Sequence, residues 1–379
     1  MEILLGTQAL EPRAYLVTVS EHLERLGHEV HVLTDEPVPV PDDLRVVTVE
    51  RGLPLAPDAI YSQDTFSALL LADLFPLTAQ VFAAHGDREE AWLPPQLAGV
   101  VARVVVFDDR TAERAQAAAL PQELVRLRRP VDLELHSPRE PLPDEPARAR
   151  LVLEGLSDYR RGLVQRALAD ARIEVAPDPD FVVGRGAGVV EAMASGLPAY
   201  VYGDEGGDGW VTTERYAQLE ADGFSGRAEP AATTYEQLRA DLEAYDPAQG
   251  SANRELALAH DARAHAQALV AVFDELRPRR DPVDAPLREL ARLVRVEAAS
   301  SRRAERATAE AAAARERLRE LERELEAARK HGDEAAARVA ELEPALREAE
   351  NRLAEAESQR GRGVRGLLGR EGKVPSSEG

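Results

Sequence analysis

Short apolar runs and longer amphipathic stretches alternate along the first part of the chain. The opening MEILLGT is an apolar run ended by glycine, and the following AYLVTVSEHLERLG carries Leu16, Val19 and Leu23 at helical spacing. Gly27 fits a helix C-cap, and HEVHVLT is typical of a strand. A strand, a helix and a strand in this order predict parallel pairing through a right-handed crossover.

The same alternation continues and then restarts. Further strands are predicted in LRVVTVE, DAIYSQD, AQVFAAHGD and ARVVVFDD. A proline-rich linker follows at 138–146, after which the pattern resumes with RLVLEGL, RIEVA, DFVVG and PAYVYG and ends in a helical region at 252–276. The predicted fold class is therefore α/β, with two facing, doubly wound Rossmann-like domains at 1–137 and 147–281. Ligands are expected at the carboxyl ends of their strands.

From about residue 286 the hydrophobic period changes to a heptad repeat, with positions such as Leu318, Leu321 and Leu342 at 3-4 spacing. It predicts a coiled coil over 286–360, followed by a disordered basic tail at 361–379. Gly332 and Pro344 interrupt the helical sequence. The unbroken register favours one kinked helix over an antiparallel hairpin that turns at 331–333.

Composition narrows the function classes. The chain of 379 residues has no cysteine, which excludes disulfides and thiolate metal sites. No apolar run is long enough to span a membrane and no signal peptide is evident, so we expect a cytoplasmic protein, with contact at the inner face of the membrane as the alternative. The net charge of −21 disfavours nucleic-acid binding. Abundant arginine with only two lysines is typical of a GC-rich bacterial genome.

A glycine-rich turn in GRGAGVVEAMASGLP carries the strongest candidate chemistry. It is not a dinucleotide fingerprint, because Gly184 and Gly186 fit the G-x-G-x-x-G spacing but Val189 stands at the third glycine. A strand, this turn and a helix predict that Gly184, Gly186 and Gly188 admit an anionic diphosphate to a helix N-terminus. Glu191 in that helix is a candidate for binding ribose hydroxyls, or a surface glutamate favoured by the helix dipole.

Residues 1–276 resemble the nucleotide-sugar-dependent glycosyltransferases of the GT-B fold, in particular the retaining group-1 type. The resemblance rests on four motifs in order: LVTVSEHLERLGHEVHVLT; PDAIYSQDTFSALLLADLFPLTAQVFAAHGD; ARVVVFDDRTAERAQ with VRLRRPVDLELHSP; and VEAMASGLPAYVY with GDEGGDGWV. The heptad region lies outside the resemblance.

The resemblance implies roles for particular residues. Glu191 matches the glutamate that binds the donor ribose, and His85 matches the histidine that faces the transferred sugar. Gly206, Gly207 and Asp208 match the loop that closes near the donor sugar and phosphates. Where many relatives carry a second, sugar-facing glutamate, this chain has Val183.

The diphosphate clamp of the relatives is the least clear part of the resemblance. Arg160 and Arg161, in SDYRRG, lie near its expected place. A solvated helix start explains the two arginines equally well.

The function that the resemblance implies is transfer of a hexosyl group from a nucleotide-diphosphate sugar to an unknown glycan, lipid-linked or small-molecule acceptor, in polysaccharide or cell-envelope glycan synthesis. The donor is a co-substrate, no other cofactor or metal is expected, and the coiled coil implies a homo-oligomer or a partner protein. Two alternatives stay open: a catalytically degenerate scaffold that acts through its coiled coil, and a nucleotide-sugar epimerase. The epimerase needs further acid/base carboxylates, which the sequence does not place.

Overall fold

The computed structural model describes residues 1–7, 13–33, 46–47, 56–86, 93–95, 99–117, 122–138, 141–153, 156–203, 206–229, 233–279, 290, 311, 314–323 and 333–368. The chain divides into two units, Met1–Arg288 and Glu289–Gly379. Within the described residues, no helix is long and apolar enough to cross a membrane.

The first sheet has seven parallel strands in the order β3-β2-β1-β4-β5-β6-β7. They are β1 (Glu2–Gly6), β2 (Glu29–Leu33), β3 (Val46–Val47), β4 (Ala59–Ser62), β5 (Gln80–Ala84), β6 (Arg103–Val106) and β7 (Glu123–Arg126). Helices α1 (Arg13–Arg25), α2 (Thr65–Leu74) and α3 (Asp109–Ala117) lie between strands. The order reverses between β1 and β4, which makes this pair of strand ends the switch point of the sheet.

The second sheet has five strands in the order β12-β11-β10-β8-β9. They are β8 (Arg148–Val152), β9 (Glu174–Val175), β10 (Phe181–Gly184), β11 (Ala199–Gly203) and β12 (Gly206–Trp210). All pairs are parallel except β11 with β12, which is antiparallel. Here the order reverses between β8 and β10.

Helices cover both faces of the second sheet. They are α4 (Asp158–Asp170), α5 (Ala187–Ala194), α6 (Tyr216–Ala221), α7 (Tyr235–Glu243) and α8 (Ala248–Ala257). Helices α5 and α8 pack on the face that carries Val182, whereas α4 and α7 pack on the face that carries Val183. This alternation is what a strand buried on both faces requires.

A last helix, α9 (Ala262–Asp274), ties the two sheets together. It follows α8 through a short 3₁₀ turn (Leu258–His260) and packs on α1 of the first sheet. Its buried side chains, including Leu269 and Phe273, belong to the core of the first sheet.

The packing of α9 predicts the effect of a core substitution. Leu269 is fully buried in the first core, so Leu269→Ala should lower the free energy of unfolding by about 2–5 kcal/mol in urea denaturation. The matched control is Leu258→Ala, because Leu258 lies just before α9 and is 48% exposed. We expect the control to change stability by about 0.5 kcal/mol or less. Equal effects of the two substitutions would show that α9 is not anchored as described.

The second unit contains two described helices, α10 at 314–323 and α11 (Asp333–Leu368). Leu321 of α10 is buried with Leu342 and Ala349 of α11, and Arg315 forms an ion pair with Glu357. In one continuous helix those two charges would be about 63 Å apart at 1.5 Å per residue. The prediction of a single kinked helix is therefore wrong here, because α10 and α11 pack against each other in antiparallel directions. The turn predicted at 331–333 falls mainly outside the described residues.

Pro344 sits inside α11 on its exposed side. The apolar seam of α11 therefore stays continuous on the side that meets α10, which explains why the heptad register survives the proline. The coiled coil over the full 286–360 stays a prediction, because much of that range lies outside the described residues.

Cysteine cross-linking distinguishes the hairpin from a long helix, because the chain has no native cysteine. The double variant Arg315→Cys, Glu357→Cys should form a disulfide within one chain, seen as a faster-migrating monomer on a non-reducing gel. Arg315→Cys with Arg338→Cys is the control, because residue 338 lies about 28 Å along α11 from residue 357. A dimer-sized band alone for the 315–357 pair would instead indicate antiparallel pairing between chains.

Candidate active site between the two sheets

The glycine-rich turn lies at the switch point of the second sheet, where it was predicted to join a strand to a helix. Strand β10 ends at Gly184 and α5 begins at Ala187. Gly186 has φ 55°, in the left-handed region that favours glycine, and no side chain caps α5 there. The first backbone N–H groups of α5, which have no partner within the helix, therefore lie at the carboxyl edge of the sheet.

Two of the three glycines have a packing role that the sequence did not reveal. A Cβ on Gly188 would lie 2.5 Å from Val152 Cγ1, and one on Gly184 would lie 3.1 Å from Val152 Cβ. These glycines allow α5 to pack closely on the end of β8. The interpretation that they only admit a ligand is therefore incomplete, and Gly186 is the one with open space beside it.

Glu191 lies one turn into α5 and is half-buried. Its Oε2 is 3.8 Å from Nη2 of Arg150, a residue of the neighbouring strand β8. Sequence reasoning missed Arg150, although its alternation with Val152 along β8 places both on the face that α5 covers. A ribose hydroxyl that bound to this carboxylate would therefore share it with the Arg150 guanidinium.

Gly206, Gly207 and Asp208 do not form the predicted loop. They belong to the antiparallel strand β12 and are buried. Gly207 fits here because a Cβ would lie 2.8 Å from the Tyr202 ring. Asp208 Oδ1 accepts a hydrogen bond from the backbone N–H of Glu229 at 2.9 Å, and burial raises the pKa of this carboxyl. Their donor-binding role stays a prediction.

Arg160 and Arg161 lie in the first turn of α4, which starts at the same carboxyl edge but covers the opposite face from α5. Arg161 is exposed. Arg166, one turn further on, stacks over the ring of Tyr235 at 4.7 Å and thereby belongs to the outer surface of that face. The position of α4 is compatible with a solvated helix start as well as with a clamp.

His85 directly follows β5, at the carboxyl edge of the first sheet. Its Nε2 lies 2.7 Å from Oε1 of the buried Gln63, and its ring contacts Tyr15 and Phe107 with centroids 4.9 and 5.2 Å apart. Burial, together with nearby Arg129, holds the pKa of His85 well below its ordinary value. The ring is therefore neutral, donates through Nε2–H and keeps Nδ1 unprotonated.

A buried polar chain continues from this edge to α9. The hydroxyls of Tyr15 and Tyr61 are 2.5 Å apart, and Tyr15 Oη lies 3.2 Å from Nε2 of His265. Nδ1 of His265 lies 2.9 Å from the carbonyl oxygen of Arg128. Sequence reasoning missed this network, because its members are spread over α1, β4 and α9.

The turn Asp222–Arg227 joins the two carboxyl edges. Arg110, at the start of α3, forms an ion pair with Asp222. Gly223 lies so close to Asp108 that a Cβ would be 3.0 Å from the Asp108 Cβ. Phe224 then accepts, through its carbonyl oxygen, the N–H of Gly186 at 2.9 Å. The two edges therefore face each other across this turn, as the two-domain prediction expected.

A cavity of about 450 Å³ lies beside this junction. Its lining comes from β7, α6 and α9 and includes Arg126, Glu220, His260 and His265. None of the predicted donor-binding residues lines it. Among the residues that the structure describes, no group of three or more His, Asp or Glu side chains is placed to hold a metal ion.

Solved structures share this architecture. HepE of Anabaena in complex with UDP is 12% identical with a TM-score of 0.52, covering 73% of this chain and 100% of its own. HepE in complex with UDP-glucose gives 13% identity and a TM-score of 0.52 over the same shares of the chains, 73% and 100%. A glycosyltransferase from Rickettsia africae gives 12% identity and a TM-score of 0.53, covering 72% and 98%.

The chain has the GT-B fold. No protein-family model and no curated protein sequence matches it. The share of this chain that the GT-B structures cover corresponds to its first unit in size, as the sequence resemblance over 1–276 implied.

The buried histidines predict a pH dependence of stability. Burial lowers the pKa of His260 and of His265 to about 4. In each ring Nδ1 faces a backbone carbonyl oxygen and Nε2 faces a tyrosine hydroxyl, so the neutral ring is fully hydrogen-bonded. Between pH 6.5 and 4 the unfolded chain binds these protons and the folded chain does not. The free energy of unfolding should therefore fall as the pH falls, by up to about 1.4 kcal/mol per pH unit for each histidine.

Urea denaturation across this pH range measures that slope, and NMR titration assigns it. The ring signals of His260 and His265, identified with His→Gln variants, should shift only near pH 4. Titration of both rings at pH 6 or above would contradict the buried, neutral arrangement.

Proposed function

We propose that this protein is a glycosyltransferase that moves a sugar from a nucleotide-diphosphate sugar to an acceptor. The observation that carries the proposal is the uncapped start of α5 at the switch point of the second sheet, on a GT-B fold. The UDP and UDP-glucose complexes of HepE, which has the same fold, support a uridine nucleotide as the first donor to test.

The start of α5 suits the leaving group of this reaction. As the glycosidic bond breaks, the nucleotide diphosphate gains negative charge. The N–H groups of Ala187 and Gly188 would donate hydrogen bonds to it without reorganising, since the helix fixes their direction. Glu191 would accept hydrogen bonds from the ribose, with Arg150 as its cationic neighbour at 3.8 Å.

His85 would act on the sugar as a neutral group. Because its pKa is depressed, it has no cationic form near neutral pH. A hydrogen-bonding role toward the transferred sugar fits this better than proton donation. Metal-independent, retaining transfer of a hexosyl unit in polysaccharide or cell-envelope glycan synthesis remains part of the proposal, supported by the sequence resemblance alone.

Val183 supports a second candidate, a catalytically inactive scaffold on the same fold. The side chain is fully buried among Phe181, Tyr200 and α4. A carboxylate at this position would sit in the core and not over the sugar, so this chain has no second glutamate to offer here. In this alternative the second unit carries the function and nucleotide binding is lost or vestigial.

Nucleotide binding by the full chain tests the proposal. UDP or GDP at 100 times its Kd should stabilise the protein by about 2.7 kcal/mol in a thermal-unfolding assay. Glu191→Gln should weaken nucleotide binding about 10- to 100-fold, because it removes hydrogen bonds to a charged group. Glu255→Gln, on the exposed side of α8, is the matched control and should bind as the wild type does.

Mass spectrometry of the donor after incubation separates the remaining alternatives. Sugar release or transfer supports the transferase, and an isomerised donor indicates the epimerase. No stabilisation by any nucleotide and no donor turnover would favour the scaffold.

A further inference from the structure

Arginines gather at the carboxyl edge of the first sheet, and one of them differs from the rest. The described ones are Arg110, Arg126, Arg128 and Arg129. The first three lie within ion-pair distance of a carboxylate of Asp222, Glu220 or Asp109. Among the residues that the structure describes, no carboxylate lies within that distance of Arg129.

The side chain of Arg129 runs along the carboxyl edge of the first sheet, from the end of β7 toward the ends of β6 and β5. Its Cζ lies 5.0 Å from the ring centroid of Phe107, which follows β6. Its Nη2 donates to the carbonyl oxygen of His85, which follows β5, at 3.2 Å. The guanidinium therefore spans the ends of the two strands next to the predicted sugar-facing histidine, and it is half-buried.

This guanidinium has more donors than the protein uses. Arginine has five N–H donors, and the His85 carbonyl is the one described acceptor. The carboxylate of Asp108 caps α3 instead, because its Oδ1 accepts the N–H of Thr111 at 2.7 Å. Burial lowers the pKa of Arg129, and the Asp108 carboxylate, which lies beyond ion-pair distance, offsets this only in part. A bound anion would compensate more of the cost of burying this cation. That no described carboxylate lies within ion-pair distance of Arg129 is notable in a chain of net charge −21.

The backbone of Arg129 is fixed by the 3₁₀ turn that precedes α9. Its carbonyl oxygen lies 2.8 Å from Nδ1 of His260, whose Nε2 lies 2.9 Å from the hydroxyl of Tyr216 on α6. Val131, two residues on, donates its N–H to the carbonyl of His260 at 2.8 Å. The backbone that carries this guanidinium is therefore fixed before any ligand arrives. Contacts with the Phe107 ring and the His85 carbonyl restrict the side chain as well, which lowers the entropic cost of binding.

We infer that Arg129 binds a phosphate group of a ligand held against the carboxyl edge of the first sheet. A planar guanidinium with parallel free donors matches two phosphate oxygens at once. Because the neighbouring His85 is neutral, the positive charge beside it comes from Arg129. The phosphate has two possible sources, the diphosphate of the donor and a phosphorylated acceptor, and the first of these rests on the proposed function.

Calorimetric titration of the full chain with UDP, uridine and inorganic pyrophosphate tests the inference. Arg129→Gln should weaken pyrophosphate binding about 10- to 100-fold, the effect of losing charge-assisted hydrogen bonds. Arg129→Lys keeps the positive charge but lacks the two parallel donors of a guanidinium, so it should recover part of that loss. Arg128→Gln is the matched control, because Arg128 is adjacent, more exposed and 3.8 Å from Glu220. Circular dichroism checks that each variant is folded.

The probes separate the two sources. Parallel weakening of UDP and pyrophosphate, with uridine unchanged, assigns Arg129 to the donor diphosphate. Weakened pyrophosphate binding with UDP unchanged assigns it to a phosphorylated acceptor. A wild type that binds pyrophosphate through Arg129 but no nucleotide contradicts the proposed function and keeps this inference. Pyrophosphate and UDP binding that are both unchanged in folded Arg129→Gln, or a wild type that binds neither, overturns it.

Discussion

The candidate site depends on the connection between the two sheets, which is made by residues 127–131 and helix α9. After β7 the chain leaves the first sheet through residues 127–131, and Val131 pairs with Asp261 at the start of α9. Helix α9 then returns to the first core, where Leu269 and Phe273 are buried. Each fully buried side chain of this kind contributes about 1.5–3 kcal/mol. Helix α9 therefore anchors this connection at both of its ends, through the Val131–Asp261 pairing at its start and through its buried side chains in the first core.

This anchoring explains why the two carboxyl edges meet. The turn Asp222–Arg227 touches Asp108 on one edge and Gly186 on the other. Phe224 in that turn has φ 54°, which is strained for a non-glycine residue, so the contacts on both sides must hold it there. A ligand that binds at the start of α5 would act on this turn first.

The sequence predicted the fold where periodicity and order were strong. The buried strands β5, β6 and β10 are continuous apolar runs, and the glycine-rich turn lies where it was expected. Strand β7, with the sequence ELVR, was missed because it is a partly exposed edge strand with charged ends. Gly206–Asp208 resembled a loop because glycines in sequence do not reveal that their missing side chains make room for Tyr202.

The candidate site was predictable only in part, for a physical reason. Glu191 and His85 could be named from their motifs, and both lie at carboxyl edges. Arg129 could not, because its significance depends on which carboxylates lie near it in space. None of the described ones is within ion-pair distance of Arg129, whereas Glu220 lies 3.8 Å from the adjacent Arg128. The buried chain of Tyr15, Tyr61 and His265 likewise exists only once α9 crosses back.

Hydrogen–deuterium exchange of the full chain, with and without UDP, tests the central claim most directly. A nucleotide at the switch point of the second sheet should slow amide exchange at 184–191 and in the turn Asp222–Arg227, which contacts Gly186. Protection confined to the cavity between β7, α6 and α9, with 184–191 unchanged, would contradict the assignment of the donor site to the start of α5.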